Sequence, residues 1–296
     1  MTLTLGRNGN ATTMSAELEF RNLSFATPQG RLLLSRVSFK IEAGTTTAIL
    51  GRSGSGKTTL LRTVNRVVQP TSGEVLVNKK DVRTANLIEL RRGMGYVIQE
   101  TGLFPHFTVE RNVGLVLEAE GRPRADRAGR SHQLLHTVGL DPAVYAKRFP
   151  HQLSGGQRQR VGLARALAAE PCILLMDEPF GALDPLTRAE MQDMLRELLG
   201  TLKKTVLLVT HDLDEALYLA RRIVLLEEGK LVANLTPAEF LQSREPRIVA
   251  YIRAFHRSER SAGAQGPAAE TREPANTANS AISANSADPP VSGRTR

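Results

Sequence analysis

The chain has 296 residues, 41% hydrophobic and 4% aromatic, with a formal net charge of +9. That length suffices for one large domain or two small ones with a sizeable core. The missing tryptophan and scarce aromatics argue against a base-stacking platform for single-stranded nucleic acid. The single cysteine, Cys172, rules out an internal disulfide and fits a reducing compartment. The basic balance suits an anionic partner: a nucleotide, a nucleic acid or an acidic lipid surface.

Residues 1–16 are polar, hold Arg7 but no apolar stretch of signal-peptide type, and are expected to be disordered. No apolar run along the chain approaches the roughly 20 residues of a membrane span, so any crossing falls to another chain. Leu18 to Phe25 alternates apolar and polar, the pattern of a half-buried strand. A second strand follows over Leu32 to Ile41, with Val37, Phe39 and Ile41 on one face. A third apolar strand, Thr46 to Leu50, runs into Gly51-Arg52-Ser53-Gly54-Ser55-Gly56-Lys57-Thr58, and a helix opens beyond it.

Strand, glycine loop, helix is the context of a phosphate loop. Its glycines let successive backbone N–H groups turn toward one centre, and the helix start adds partial positive charge. Lys57 then reaches the β and γ phosphates, and the Thr58 hydroxyl is placed to ligate Mg²⁺.

The early strands, with a short one at Glu74 to Val77, predict a small antiparallel sheet beside a parallel core. Met94 to Ile98 is another buried strand, ending at Gln99. From Phe107 to about Arg148 apolar residues recur at helical spacing, which predicts a helical insertion over about 100–165. Leu153-Ser154-Gly155-Gly156-Gln157 opens a further helix: Ser154 suits an N-cap, and the glycines allow close approach of an anion. One nucleotide does not need two such cradles in one chain, so the second is expected to serve a nucleotide held by another copy.

Cys172 to Met176 is a continuous apolar run, as in a parallel strand covered on both faces. It ends in Asp177, placed to hold Mg²⁺, and Glu178, placed to orient or deprotonate a water. Leu186 to Leu199 reads as a helix and Thr205 to Val209 as a strand, with His211 just beyond; a hairpin follows around Glu228-Gly229. Parallel strands share one C-terminal edge, so Gln99, Asp177, Glu178 and His211 are expected to converge on the γ-phosphate. Beyond Ser258 the chain is Ala, Ser, Asn, Pro and Gly, a composition that predicts a disordered tail over 258–296.

Over about Leu18 to Leu241 these motifs resemble the ATP-binding subunit of ABC transporters. The resemblance implies an α/β fold: a P-loop NTPase (RecA-like) core with an antiparallel β subdomain and a helical subdomain insertion, over 17–257. It implies ATP and Mg²⁺ as ligands, with Gly51 to Thr58 as the Walker A loop and Thr59 beside it at the nucleotide. Gln99 is implied as the Q-loop glutamine, a metal contact with Thr58 and Asp177; Glu178 as the catalytic glutamate; His211 as the switch histidine. Ser154, Gly155, Gly156 and Gln157 would be the signature motif and Ala182-Leu183-Asp184 the D-loop. The family forms head-to-tail homodimers in which one copy's Walker A loop meets the other's signature motif, and closure drives transmembrane permease subunits. No nucleic-acid partner is implied.

A finer resemblance rests on Tyr96-Val97-Ile98-Gln99-Glu100-Thr101-Gly102-Leu103-Phe104-Pro105-His106, on Phe149 to Leu153, and on Glu178 to Pro185. These stretches look like the importer branch for glycine betaine, choline and carnitine, which works with an extracytoplasmic substrate-binding protein. Amino-acid and metal-ion importers share parts of the pattern. A cytoplasmic position under the inner membrane is implied, with Phe104 and Phe107 near the permease's docking surface. Some members of that branch carry paired regulatory CBS modules; the low-complexity tail here makes ionic-strength gating by that module unexpected. The family usually stacks adenine on an aromatic residue near position 27, where this chain has threonine. Either Phe25 substitutes or adenine is held loosely; Phe25 reads equally as core. The rival class, a soluble ABC ATPase acting on DNA or ribosomes, usually carries two cassettes, a long coiled coil or a zinc motif.

Overall fold

The computed structural model describes residues 15–99 and 101–263, with side chains described to 257. The expected disordered segments fall outside the described residues, except that 15–16 and 258–263 are placed and 258–263 continue a helix. Contacts divide the chain into Met1–His256 and Arg257–Arg296; the fold below is that of the first unit.

Two sheets organise it. β1 (Leu18–Ala26) and β2 (Leu32–Ile41) form a hairpin, and β3 (Thr46–Leu50) leaves it for the second sheet. After α1 (Lys57–Val64), β4 (Ser72–Val77) returns to pair with β1, and β5 (Lys80–Asp81) pairs with β4. The resulting antiparallel sheet has the order β2-β1-β4-β5. The alternation of β1 breaks at Asn22, which has φ 47°: Leu18, Phe20 and Leu23 are buried rather than a strict every-second set.

α2 (Leu87–Arg92), which the sequence reading did not resolve, precedes β6 (Met94–Val97). Then come α3 (Val109–Ala119), α4 (Arg124–Thr137), the short α5 (Pro142–Tyr145) and α6 (Gly155–Leu167). Val113 and Leu117 of α3 pack with Leu134 and Leu135 of α4 and Val161 of α6, burying the stripe that the spacing predicts. The chain re-enters the sheet at β7 (Ile173–Asp177), buried at every position, crosses through α7 (Pro185–Leu202), and forms β8 (Thr205–Val209), also wholly buried. Each fully buried leucine there contributes about 1.5–3 kcal/mol.

α8 (Leu213–Leu219), the hairpin β9 (Arg222–Glu227) and β10 (Lys230–Leu235), α9 (Pro237–Gln242) and α10 (Pro246–Gly263) complete the described chain. The second sheet has the order β10-β9-β3-β8-β7-β6, parallel except for its terminal hairpin. Register aligns Ile49 and Asp177 with Val209, so β3, β7 and β8 finish at one level. No described helix is long and apolar enough to cross a membrane.

Candidate active site

The level strand ends gather the candidate residues. At β3 the chain turns into the phosphate loop, where geometry demands glycine twice. Gly51 is packed so tightly that a Cβ would collide with the Leu226 carbonyl, and Gly56, with φ 100°, lies under the Leu33 carbonyl. The loop's backbone is thereby drawn down against β9 and β2. Lys57 is buried, its Nζ donating to the carbonyls of Gly51 at 2.7 Å and Arg52 at 3.0 Å. Burial pulls its pKa down, against the opposing pull of the Glu178 and Asp177 carboxylates.

Asp177 ends β7 opposite this loop. Thr58 Oγ1 donates to its Oδ1 at 2.9 Å, so the hydroxyl and carboxylate proposed as metal ligands are already adjacent. Burial raises the Asp177 pKa, and the Thr58 hydrogen bond lowers it. Two further groups touch the other carboxylate oxygen: the Tyr96 hydroxyl at 3.5 Å and the Arg62 guanidinium at 4.0 Å. Sequence reasoning missed both. Tyr96 lies on β6 and Arg62 on α1, and only the fold brings them together.

Glu178 follows in the left-handed region, with φ 46°, uncommon for a residue with a side chain. Its amide donates to the Val209 carbonyl at 2.9 Å, locking the turn onto β8. The turn presents the carboxylate to His211, whose Nδ1 lies 3.3 Å from Glu178 Oε2. Gln99, two residues beyond β6, is exposed; a methyl group placed on Gly181 would lie 3.8 Å from Glu178 Oε2 and 3.9 Å from Gln99 Nε2. Gln99, Asp177, Glu178 and His211 therefore occupy one edge with Thr58.

His211 is held by its neighbours. Thr210 donates its amide to the Ile49 carbonyl, and its hydroxyl accepts from the Asp212 amide at 3.0 Å while donating to Glu215 at 2.5 Å. Asp212 caps α8 and receives Arg188 of α7 at 3.3 Å.

Ser154 to Gln157 open α6. Ser154 caps α6, and Gln157 returns a bond to the Ser154 amide and donates to the Tyr145 hydroxyl at 3.2 Å. A Cβ on Gly155 would lie 3.8 Å from Leu183, and one on Gly156 would strike Thr187. Among the described residues no hydrogen bond joins this cradle to the phosphate loop. The buried amide of Gln159, one turn on, donates to the Pro179 carbonyl and ties α6 to the Glu178 turn. Phe25 is half-buried, paired with Leu34 across the hairpin and packed against the core. Its strand partner Leu34 borders Gly56, while Phe25 itself is seen as a core contact.

The oxygens of Thr58 and Asp177 suit a hard cation such as Mg²⁺, which commonly takes one or two protein ligands and completes its shell with phosphates and water. The phosphate loop, packed at Gly51 and Gly56 against the Leu226 and Leu33 carbonyls and opening a helix at Lys57, suits the phosphates.

The ABC transporter family profile matches residues 34–181, half of the chain. The chain belongs to the ABC transporter family. Among its relatives is the choline transport ATP-binding protein OpuBA of Bacillus subtilis, 42% identical over 86% of this chain and 65% of that protein. Another is the glycine betaine/carnitine/choline transport ATP-binding protein OpuCA of the same organism, 44% identical over 76% of this chain and 59% of that one. This ABC family member thus spans about three fifths of the curated relatives it matches first. Among solved structures, a dimeric ATP-binding cassette in a post-hydrolysis state with ADP and Pi superposes with a TM-score of 0.67 at 33% identity, covering 74% of this chain and 98% of that one. The protein cbiO1 of Clostridium perfringens, part of the ABC transporter complex cbiONQ, superposes with a TM-score of 0.71 at 28% identity, covering 82% and 98%. The α/β core with its antiparallel sheet and helical part is the fold of these ABC cassettes.

Proposed function

We propose that this chain hydrolyses ATP as the ATP-binding subunit of an ABC importer for quaternary-amine osmoprotectants. The observation that carries the hydrolytic part is the single edge on which Thr58, Asp177, Glu178 and His211 meet. ATP would lie with its phosphates in the cradle of Gly51 to Thr59, and Lys57 would leave its two carbonyl partners to neutralise phosphate charge. Mg²⁺ held by Thr58, Asp177 and Gln99 would offset the charge on the β and γ phosphates. Glu178 takes the proton of the attacking water, and His211 holds the Glu178 carboxylate and the γ-phosphate in one geometry.

Ser154 to Gln157 serve the nucleotide of a second copy in a head-to-tail homodimer; the support is a second capped, glycine-bearing helix start in the chain and the dimeric state of a related cassette solved with ADP and Pi. Membrane attachment on the cytoplasmic side runs through permease subunits. Phe104, 43% exposed and stacked on Phe107, is presented on a loop that Asn112 clamps through the carbonyls of Phe104, Phe107 and Thr108. A rigid loop with an outward apolar side chain suits a docking permease helix.

The cargo class rests on the names of the relatives, which are choline, carnitine and glycine betaine transport proteins. Cargo selection itself belongs to an extracytoplasmic binding protein and the permease. Deleting the gene should impair uptake of labelled glycine betaine, choline or carnitine, and Phe104→Asp should abolish uptake while sparing basal ATP hydrolysis. Normal uptake of the whole panel in a deletion strain without a redundant importer would overturn the cargo assignment.

A further inference from the structure

Tyr251 of α10 reaches the backbone at two points of the site that are far apart in sequence. Its hydroxyl donates to the His211 carbonyl at 2.9 Å. The same side chain faces the Gly51 backbone and lines, with Arg247 and Ala250, a cleft walled by Gly51 to Ser55. Burial pushes its hydroxyl pKa up to about 12, so it stays a neutral donor.

The helix is well placed to act as a brace. Ile248, Tyr251, Ile252 and Phe255 recur at helical spacing and pack into a cluster that contains Ala48 and Leu50 of β3 and Leu213 and Ala216 of α8. α10 thus grips both the strand that delivers the phosphate loop and the helix that follows His211. The His211 side chain is 63% exposed, so packing does little to fix its ring. Its orientation depends on its backbone, which is held through Thr210 and Asp212 on either side and at its own carbonyl by Tyr251.

We propose that Tyr251 is a positioning residue that sets His211 against Glu178 by fastening the His211 carbonyl beside the phosphate loop; this rests on the hydrolytic reading above. Tyr251→Phe keeps the ring and its packing and removes one hydroxyl. Steady-state hydrolysis should fall about three- to tenfold, the scale of one hydrogen bond expressed in a rate. ATP affinity and melting temperature should stay at parent values. In a His211→Ala background the same substitution should cost no further turnover, because the group it positions is gone.

Parent-like turnover in Tyr251→Phe would overturn the proposal, as would an equal loss with and without His211. A loss explained by weaker ATP binding or a lowered melting temperature would also overturn it, because the hydroxyl would then be structural. If the parent protein fails to hydrolyse ATP, or Glu178→Gln hydrolyses normally, the hydrolytic reading fails first and the positioning role falls with it.

Discussion

The Nδ1 atom of His211 lies 3.3 Å from Oε2 of Glu178, joining the ends of β7 and β8 above the phosphate loop. His211 extends from β8 and Glu178 from a left-handed turn after β7, so the contact is built by two separate backbones. Removing the imidazole frees the carboxylate without touching the cradle. His211→Ala should lower turnover about 100-fold, the low end of the scale of a general base no longer held in position, with ATP affinity unchanged in calorimetry. A variant with parent-like turnover would remove His211 from the reaction.

The Thr58–Asp177 contact predicts how metal enters. Asp177→Asn keeps the size of the side chain and its acceptor for Thr58 but removes the charge facing Lys57 and Arg62. ATP affinity measured without Mg²⁺ should change little, while the gain in affinity on adding Mg²⁺ should shrink. An unchanged Mg²⁺ dependence would place the metal elsewhere.

Glu215 carries a pH signature. Burial among the elements behind the His211 loop pushes its carboxyl up to about 7 from 4.5; Asp212 and Glu178 add to the rise, and Thr210 and Arg188 oppose it. The folded chain therefore holds this proton more tightly than the unfolded chain. Its contribution to stability is complete below pH 4.5 and is lost as pH rises through about 7. Glu215→Gln, which cannot ionise, should stabilise the protein relative to the parent increasingly from pH 5 to pH 8, by at most about 3 kcal/mol. Urea unfolding at the two pH values checks this; an equal difference at both would show that Glu215 does not titrate in this window.

The proposed sharing of one site between two copies predicts complementation. Ser154→Arg should leave ATP bound to the isolated subunit and block hydrolysis. Lys57→Ala should lose tight ATP binding, because it removes the buried cation that opens the helix after the proposed phosphate loop. Mixing the two proteins should restore part of the activity, since one composite site is then intact. No recovery in demonstrated heterodimers would argue against a site shared between copies.

Much of this site is legible along the chain because its motifs are local. A glycine loop after Leu50, an acidic pair after Met176 and a histidine after Thr210 each end an apolar strand, and a parallel sheet brings such ends together. The turn at Glu178 is local too, but its positive φ leaves no mark in the residue type. The residues that were not legible act across the fold. Tyr96 and Arg62 meet Asp177 from different elements, and Tyr251 reaches His211 from 40 residues away. The spacing of Ile248, Tyr251, Ile252 and Phe255, beyond the last hairpin, becomes informative once α10 is seen against β3 and α8. Phe25 is half-buried against the core opposite Leu34, the core position that its alternating strand allows.

If Glu178 activates water for ATP hydrolysis while Lys57, Thr58 and Asp177 bind the nucleotide and its metal, binding and turnover must separate at Glu178. Glu178→Gln changes one carboxylate to an amide of the same shape and leaves Lys57, Thr58 and Asp177 in place. The measurement is turnover and ATP binding on the same preparation of full-length protein. ATP affinity should equal the parent's, turnover should be lower by at least about 100-fold, and an ATP-bound dimer should accumulate. Parent-like hydrolysis by Glu178→Gln, or a variant that stays monomeric with ATP bound, would contradict that role for Glu178.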